Sequence, residues 1–257
     1  APAMTTMESD YNDAKLRRVS AHKLHGDAME SKSEQPDAGP GRIKIWDAPV
    51  RLFHWLLVAL ILFSWWSGEE GGNAMQYHMW SGYAILTLVL FRITWGLCGS
   101  TTARFSTFVK GPRAVLEYAR TLPVRRAGAH AGHNPLGGWS VVLVLTCALV
   151  QAGTGLFAND DIVTEGPLYR LVSKATSDLL TTVHHINFNI LLALAGVHIA
   201  AVLFYLFYKS ENLIKPMVTG YRAGLHGTGS SIRHASNWLA ILIVALAAVA
   251  VYFIVRK

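Results

Sequence analysis

The chain has 257 residues, 52% of them hydrophobic and only 15% charged, where a soluble domain carries about 25% charged residues. That balance argues against a soluble globular protein. A formal charge of +7 does not point to nucleic acid either, because Lys and Arg alternate between connecting segments instead of lining one face.

Residues 1–41 read as a polar tail of Ser, Asp, Glu, Lys, Gly and Pro. It holds no apolar signal-peptide core, and its composition is expected to lack fixed structure until a partner binds. Five apolar blocks follow, roughly Val50–Ser67, Met75–Cys98, Leu136–Phe157, Val183–Tyr208 and Asn237–Val255. Each is near the about 20 residues that carry a helix across a hydrocarbon core. In the second connection, Pro112 at a first turn predicts a short interfacial helix over Pro112–Thr121.

The basic residues order these blocks across a membrane. Lys15, Arg17, Arg18, Lys23, Lys32, Arg42, Lys44 and Arg51 precede or open the first block. The first connection, around Glu69–Glu70, has no Lys or Arg. The second holds Arg104, Lys110, Arg113, Arg120, Arg125 and Arg126. The third sets Arg170 and Lys174 against Asp160, Asp161, Glu165 and Asp178, and the fourth holds Lys209, Lys215, Arg222 and Arg233. Positive connections stay in the cytoplasm, so the N-terminus is expected inside and the C-terminus outside, with Arg256 and Lys257 against the trend.

Ionisable side chains inside a membrane are costly and usually functional. Of eleven histidines, His54 lies near the start of the first span, His78 near the start of the second, and His184 and His198 on the fourth. The fourteen residues from His184 to His198 come within about 40° of four full turns, so both lie on one face, about 21 Å apart along the axis. His185 points about 100° away from its neighbour. Span direction then sorts the rest by depth: His54 with His198 towards the cytoplasm, His78 with His184 towards the outside. A haem iron takes axial ligands from opposite sides of its ring, and bundle cores bind cofactors between facing helices. Two bis-histidine haems account for all four residues. Interface or packing histidines are one alternative. A di-iron enzyme is another and would need denser clusters of the H-x-x-H-H kind, and a third is a transporter whose histidines relay protons.

Arg92 lies fourteen residues after His78, on the same face at the cytoplasmic level. Buried Arg needs an anion, which a haem carboxylate would supply. Arg51, one turn before His54, can do the same or snorkel to lipid headgroups. Gly82, Gly153, Gly155 and Gly196 leave room for flat rings or close helix packing. Trp46, Trp55, Trp80 and Trp139 are interfacial-belt candidates. Cys98 and Cys147 read as small packing residues, and with no C-x-x-C-H sequence any haem is non-covalent.

The run Trp46-Asp47-Ala48-Pro49-Val50-Arg51-Leu52-Phe53-His54-Trp55 resembles the opening of the bacterial cytochrome b561 family, which includes the cytochrome b subunit of membrane nickel–iron hydrogenases. Later motifs are similar and fall in the family's order: His78-Met79-Trp80-Ser81-Gly82-Tyr83, Arg92-Ile93-Thr94-Trp95-Gly96 and Gly132-His133-Asn134-Pro135-Leu136. They continue with His184 through His198, Glu211-Asn212-Leu213 and Met217-Val218-Thr219-Gly220. The resemblance implies two b haems ligated by His54, His78, His184 and His198, and exchange of electrons with the quinone pool and a partner outside the cytoplasm. The chain departs from the pattern at His185, where the family would carry an acidic residue, and in its fifth span, which many hydrogenase subunits lack.

The expected architecture is therefore all-α: an integral membrane bundle of five helices with a four-helix haem-binding core. Residues 1–41 form the tail, 42–222 the di-haem domain, and 223–257 a linker with the fifth helix. The expected function is electron transfer in the bacterial inner membrane between quinone and a periplasmic c-type cytochrome or a hydrogenase- or dehydrogenase-like partner. A stand-alone quinol oxidase reducing small acceptors such as superoxide is the alternative within the class. Quinone is expected beside the cytoplasmic haem at His133 and Asn134. Histidine titrates near neutral pH and Asn can hydrogen-bond a carbonyl, although Asn followed by Pro also suits a helix start.

Overall fold

The computed structural model describes residues 42–125, 132–223 and 232–256; the polar tail and Arg126 lie outside them. Its helices are α1 (Ala48–Glu70), α2 (Met75–Cys98), α3 (Phe105–Phe108), α4 (Pro112–Ala119), α5 (Pro135–Gly155), α6 (Lys174–Phe207), α7 (Ile214–Thr219) and α8 (Asn237–Val255). Among these, α1, α2, α5, α6 and α8 are long and apolar enough to cross a membrane. Their outer faces carry bare apolar side chains such as Leu62, Ile199 and Leu246. Such a surface suits lipid, not water. The protein is an integral membrane helix bundle.

Helix starts follow capping chemistry. Asp47 Oδ1 accepts from Val50 N at 2.8 Å, and Pro49 sits in the first turn of α1, where its missing N–H leaves nothing unpaired. Asn134 does the same for α5, accepting from Gly137 N at 2.7 Å. α6 departs from the expected Val183 start: it begins at Lys174 and runs 34 residues. At about 1.5 Å per residue that exceeds a hydrocarbon core of about 30 Å. Ser173 Oγ accepts from Thr176 N, and Thr181 and Thr182 donate to carbonyls one turn earlier, at 3.0 and 2.9 Å. Those first turns are helical without being apolar, which is why hydropathy misses them. The short helix α4, expected over Pro112–Thr121, ends at Ala119, two residues early.

α1 packs along α2, α5 along α6, and α2 also lies against α5 and α8. α1 and α6 approach through side chains, as in Trp65 and Phe188 with ring centroids 6.0 Å apart. The end of the bundle that holds His54 and His198 is tied shut by backbone. Strand β1 (Ile43–Lys44) pairs antiparallel with β2 (Tyr221–Arg222) in the register Ile43↔Arg222, and Ile45 N donates to Gly220 O at 2.8 Å. Gly220 has φ +87°, and a Cβ there would stand 2.9 Å from Trp46 O; both its left-handed backbone and this close approach demand glycine. Arg222 closes the same end by pairing with Glu211 at 2.5 Å.

Beneath this closure, Ile45, Trp46, Val50, Phe53, Val89, Phe91 and Trp95 form the main buried cluster. Asp47 is 3% exposed, and its second oxygen accepts from the Trp95 indole at 3.0 Å. One carboxylate therefore starts α1 and fixes it to the far end of α2. Replacing Asp47 with Ala removes a cap, at about 0.5–2 kcal/mol, and leaves a buried indole N–H unpaired, at about 1–3 kcal/mol. Asp47→Ala is expected to lower the thermal midpoint of the solubilised protein, followed by circular dichroism, by an amount equivalent to about 2–4 kcal/mol. Asp47→Asn keeps the cap oxygen but faces the indole with an amide, so it should fall between the two. An unchanged midpoint in Asp47→Ala would remove this tie from the account.

Candidate functional site

Four histidines from three spans meet in two pairs. His54 on α1 faces His198 on α6 with ring centroids 6.3 Å apart. His78 on α2 faces His184 on α6 at 6.1 Å. These are the pairs that the sequence groups by depth. Two imidazoles on opposite sides of one metal, with metal–nitrogen bonds of about 2 Å, hold their centroids about 6 Å apart. Both pairs have that spacing. A haem contributes four equatorial nitrogens of its own, so two facing histidines are the complement a protein must supply.

The His78–His184 pair is seated by its neighbours. His78 Nδ1–H donates to Ser64 O at 2.8 Å, and His184 Nδ1–H donates to Gln151 O at 2.9 Å. A carbonyl can only accept, so each neutral ring carries its proton on Nδ1 and leaves the Nε2 lone pair free for a metal. The hydroxyls of Ser64 and Thr154 stand 3.3 and 3.2 Å from the same nitrogens. One turn further along each helix sits a glycine. A Cβ on Gly68 would come 2.9 Å from His78 Nδ1, and one on Gly155 would come 3.0 Å from His184 Cε1. Each seat is thus a carbonyl at one position and a glycine four residues later.

Of these seat residues only Gly155 stands out in the sequence, as a small residue that leaves room for a flat ring or close helix packing. Ser64, Gly68, Gln151 and Thr154 were not singled out, yet the spacing Ser64–Gly68 on α1 matches Gln151–Gly155 on α5. That shared four-residue step is the signal that could have found them. Asn187 was missed too. It lies one turn after His184, is buried, and donates to Cys147 O at 2.9 Å and Gln151 Oε1 at 2.7 Å, locking α5 to α6 beside the seat. His185 is exposed, with its ring edge-on to that of His184, on a different face of α6.

The His54–His198 level is built from charge. Arg92 is 2% exposed, lies over the Phe105 ring at 5.2 Å, and has NH1 buried without a partner. Arg51 donates from NH1 to Val218 O at 2.5 Å, while its Nε is buried and unpaired. His54 Nδ1 and His133 Nδ1 are orphaned likewise. Buried donors without acceptors are rare and costly. Orphans gathered around cations are what an anionic group would satisfy. A Cβ on Gly82, one turn after His78, would meet nothing within 4 Å. The residues present fit haem at both levels, and Arg51 and Arg92, the latter already near the Asp47 carboxylate, could pair with its carboxylates.

His133 sits between Trp46 and Phe108, with ring centroids 4.7 Å from each. Burial, then the nearby Arg92, His198 and His54, push its pKa down to about 3. That favours the neutral form of its imidazole. Asn134 is largely occupied: Oδ1 caps α5 and Nδ2 donates to Tyr205 OH at 3.0 Å, which in turn is 2.6 Å from Tyr118 OH.

Over residues 45–220 the chain matches the protein family described as prokaryotic cytochrome b561. The matched stretch begins and ends on Ile45 and Gly220, the two residues joined by the closing backbone hydrogen bond. The chain is also 23% identical, over 214 residues, to a protein of Rhizobium leguminosarum bv. viciae described as a probable Ni/Fe-hydrogenase B-type cytochrome subunit. That alignment covers 70% of this chain and 88% of the relative. No solved structure matches.

The seats make a prediction about cofactor retention. His184→Ala, and Gly155→Leu through displacement of the same ring, are each expected to lose about half of the bound haem, since one of two ligand pairs is broken. His185→Ala should keep all of it. The pyridine haemochrome assay reads the content directly. Full haem in Gly155→Leu, or loss in His185→Ala with retention in His184→Ala, would contradict the seating geometry.

Proposed function

The chain belongs to the prokaryotic cytochrome b561 family, and from that premise we propose that it conducts electrons between membrane quinone and a periplasmic redox partner through two haem b groups. Electron transfer in the membrane by a b-type cytochrome follows from membership; the two haems, the partner and the orientation are our reading. The observation that carries it is the pair of facing histidine sets, 6.3 and 6.1 Å apart, at two depths of one bundle.

Bound haem supplies the reversible one-electron chemistry of iron. The chain's own residues do the rest. His54 with His198, and His78 with His184, would hold the haem iron. Ser64 O and Gln151 O fix the orientation of two of those rings. Arg51 and Arg92 would bind the haem carboxylates. The surrounding apolar spans exclude water, so the charges inside act with little screening.

Quinone is placed at the His54–His198 level, on the cytoplasmic side of the inner membrane. Gly132 there is open, since a Cβ would meet nothing within 4 Å. His133 keeps an unpaired Nδ1. It would serve a quinone carbonyl as a hydrogen-bonding group. Asn134 can offer the second hydrogen of its Nδ2. On the periplasmic side the partner is a c-type cytochrome, a dehydrogenase, or a hydrogenase of the kind the Rhizobium relative's description names.

Two measurements test this reading together. Haem content of the purified protein is expected to be about two per chain, one for each ligand pair. A value near one, with the four histidines intact, contradicts it. His133→Ala and Asn134→Ala are then expected to slow haem reduction by a quinol analogue in stopped flow while keeping both haems. Asn134→Ala also loses a helix cap worth about 0.5–2 kcal/mol, so its haem content is the control. Unchanged rates in both variants would move the quinone site elsewhere.

A further inference from the structure

Reducing a quinone consumes two protons with two electrons, and oxidising a quinol releases them, so a quinone site on the cytoplasmic side needs a path to the water there. Asn134 cannot carry a proton, because its amide does not ionise. Its Nδ2 is nevertheless bonded to groups that can. It donates to Tyr205 OH at 3.0 Å, and Tyr205 OH stands 2.6 Å from Tyr118 OH. A phenolic hydroxyl donates and accepts at once, so the two form a continuous run of exchangeable protons. Both residues are buried, at 8% and 9% exposure.

The run leads from the His54–His198 level towards the helix end. Tyr205 lies seven residues after His198, about 20° short of two full turns and about 10 Å further along α6. It therefore shares the face that carries His198. Tyr118 lies on α4, in the Arg- and Lys-rich connection that the charge pattern assigns to the cytoplasm. Joining α4 to α6 does not call for these two hydroxyls. Tyr208 OH already donates to Pro123 O at 2.7 Å, and Lys209 Nζ to Thr121 O at 3.0 Å. Phenylalanine at position 118 or 205 would keep the ring packing and break only the hydroxyl run.

We propose that Tyr205 and Tyr118 carry protons between cytoplasmic water and the quinone held at Asn134. The proposal rests on the quinone reading above. For each of the two electrons that a quinol gives up to oxidised haem, one quinol O–H bond breaks. The proton passes to Tyr205 Oη as the Tyr205 hydrogen moves to Tyr118 Oη and the Tyr118 hydrogen to water, which leaves both phenols neutral. Quinone reduction runs the same transfers in reverse and takes both protons from the cytoplasm.

The test is stopped-flow haem reduction by a quinol analogue in H2O and in D2O, with dithionite as a reductant that needs no proton path. Tyr205→Phe and Tyr118→Phe should each lower the limiting rate at saturating quinol by about 10²-fold, the scale of a positioned proton transfer. Each should also enlarge the slowing in D2O, while haem content and the dithionite rate stay at wild-type values. Unchanged limiting rates overturn the proposal. So does a raised half-saturation concentration at an unchanged limiting rate, which would leave the hydroxyls only positioning Asn134, and so does equal slowing with dithionite. Where Tyr205→Phe does not accumulate, Tyr118→Phe, outside the spans, decides alone. If His133→Ala and Asn134→Ala are silent as well, the quinone reading itself fails; if they slow the reaction and the tyrosine variants do not, only the relay fails.

Discussion

An imidazole inside hydrocarbon has two nitrogens to satisfy, and the bundle is organised around that requirement. Leaving a polar group unpaired in an apolar interior costs several kcal/mol on typical scales. Where water is excluded the chain must therefore supply the partner or a cofactor must. For His78 and His184 it supplies a carbonyl to one nitrogen from the neighbouring helix and leaves the other facing inward. α6 contributes one histidine to each level because the fourteen-residue step from His184 to His198 brings the helix back to the same face. Once that face is fixed, α1 must bring His54 to one depth and α2 must bring His78 to the other.

Closure of one end supports this arrangement. The antiparallel pairing of Ile43–Lys44 with Tyr221–Arg222 joins the chain just before α1 to the chain just after α7. Asp47 and Trp95 tie the start of α1 to the end of α2, and Ser100 Oγ accepts from Ala235 N to anchor the approach to α8. Arg51 rests on the same closure through Val218 O. The end that carries the guanidiniums is thus held by backbone hydrogen bonds and a buried carboxylate, whereas the other level is held by ring-to-carbonyl contacts.

Much of this was legible in residue order, for physical reasons. Span length is set by hydrocarbon thickness, so apolar runs locate α1, α2, α5 and α8 to within a few residues. Histidines are scarce enough in such runs that their helical phase can be read directly. The start of α6 was not legible, because its first turns are helical but polar and hydropathy registers only solvent. Nor were the seats: glycine in a membrane helix has many uses, and nothing in a single helix says that Gly68 lies under a ring from another. For His133 the residue type gives only an intrinsic titration range, which packing between Trp46 and Phe108 beside Arg92 lowers. Asn134 is an N-cap with its amide directed at Tyr205, a role that its position before Pro135 allowed but did not distinguish from ligand binding.

The central claim is that each histidine pair clamps one iron from both sides. Low-temperature electron paramagnetic resonance of the fully oxidised protein tests it most directly, since axial ligation by two imidazoles makes ferric haem low-spin, whereas a single axial ligand leaves it high-spin. The account predicts two low-spin signals, one abolished by His54→Ala and the other by His78→Ala. A high-spin signal accounting for either haem in the intact protein would contradict it.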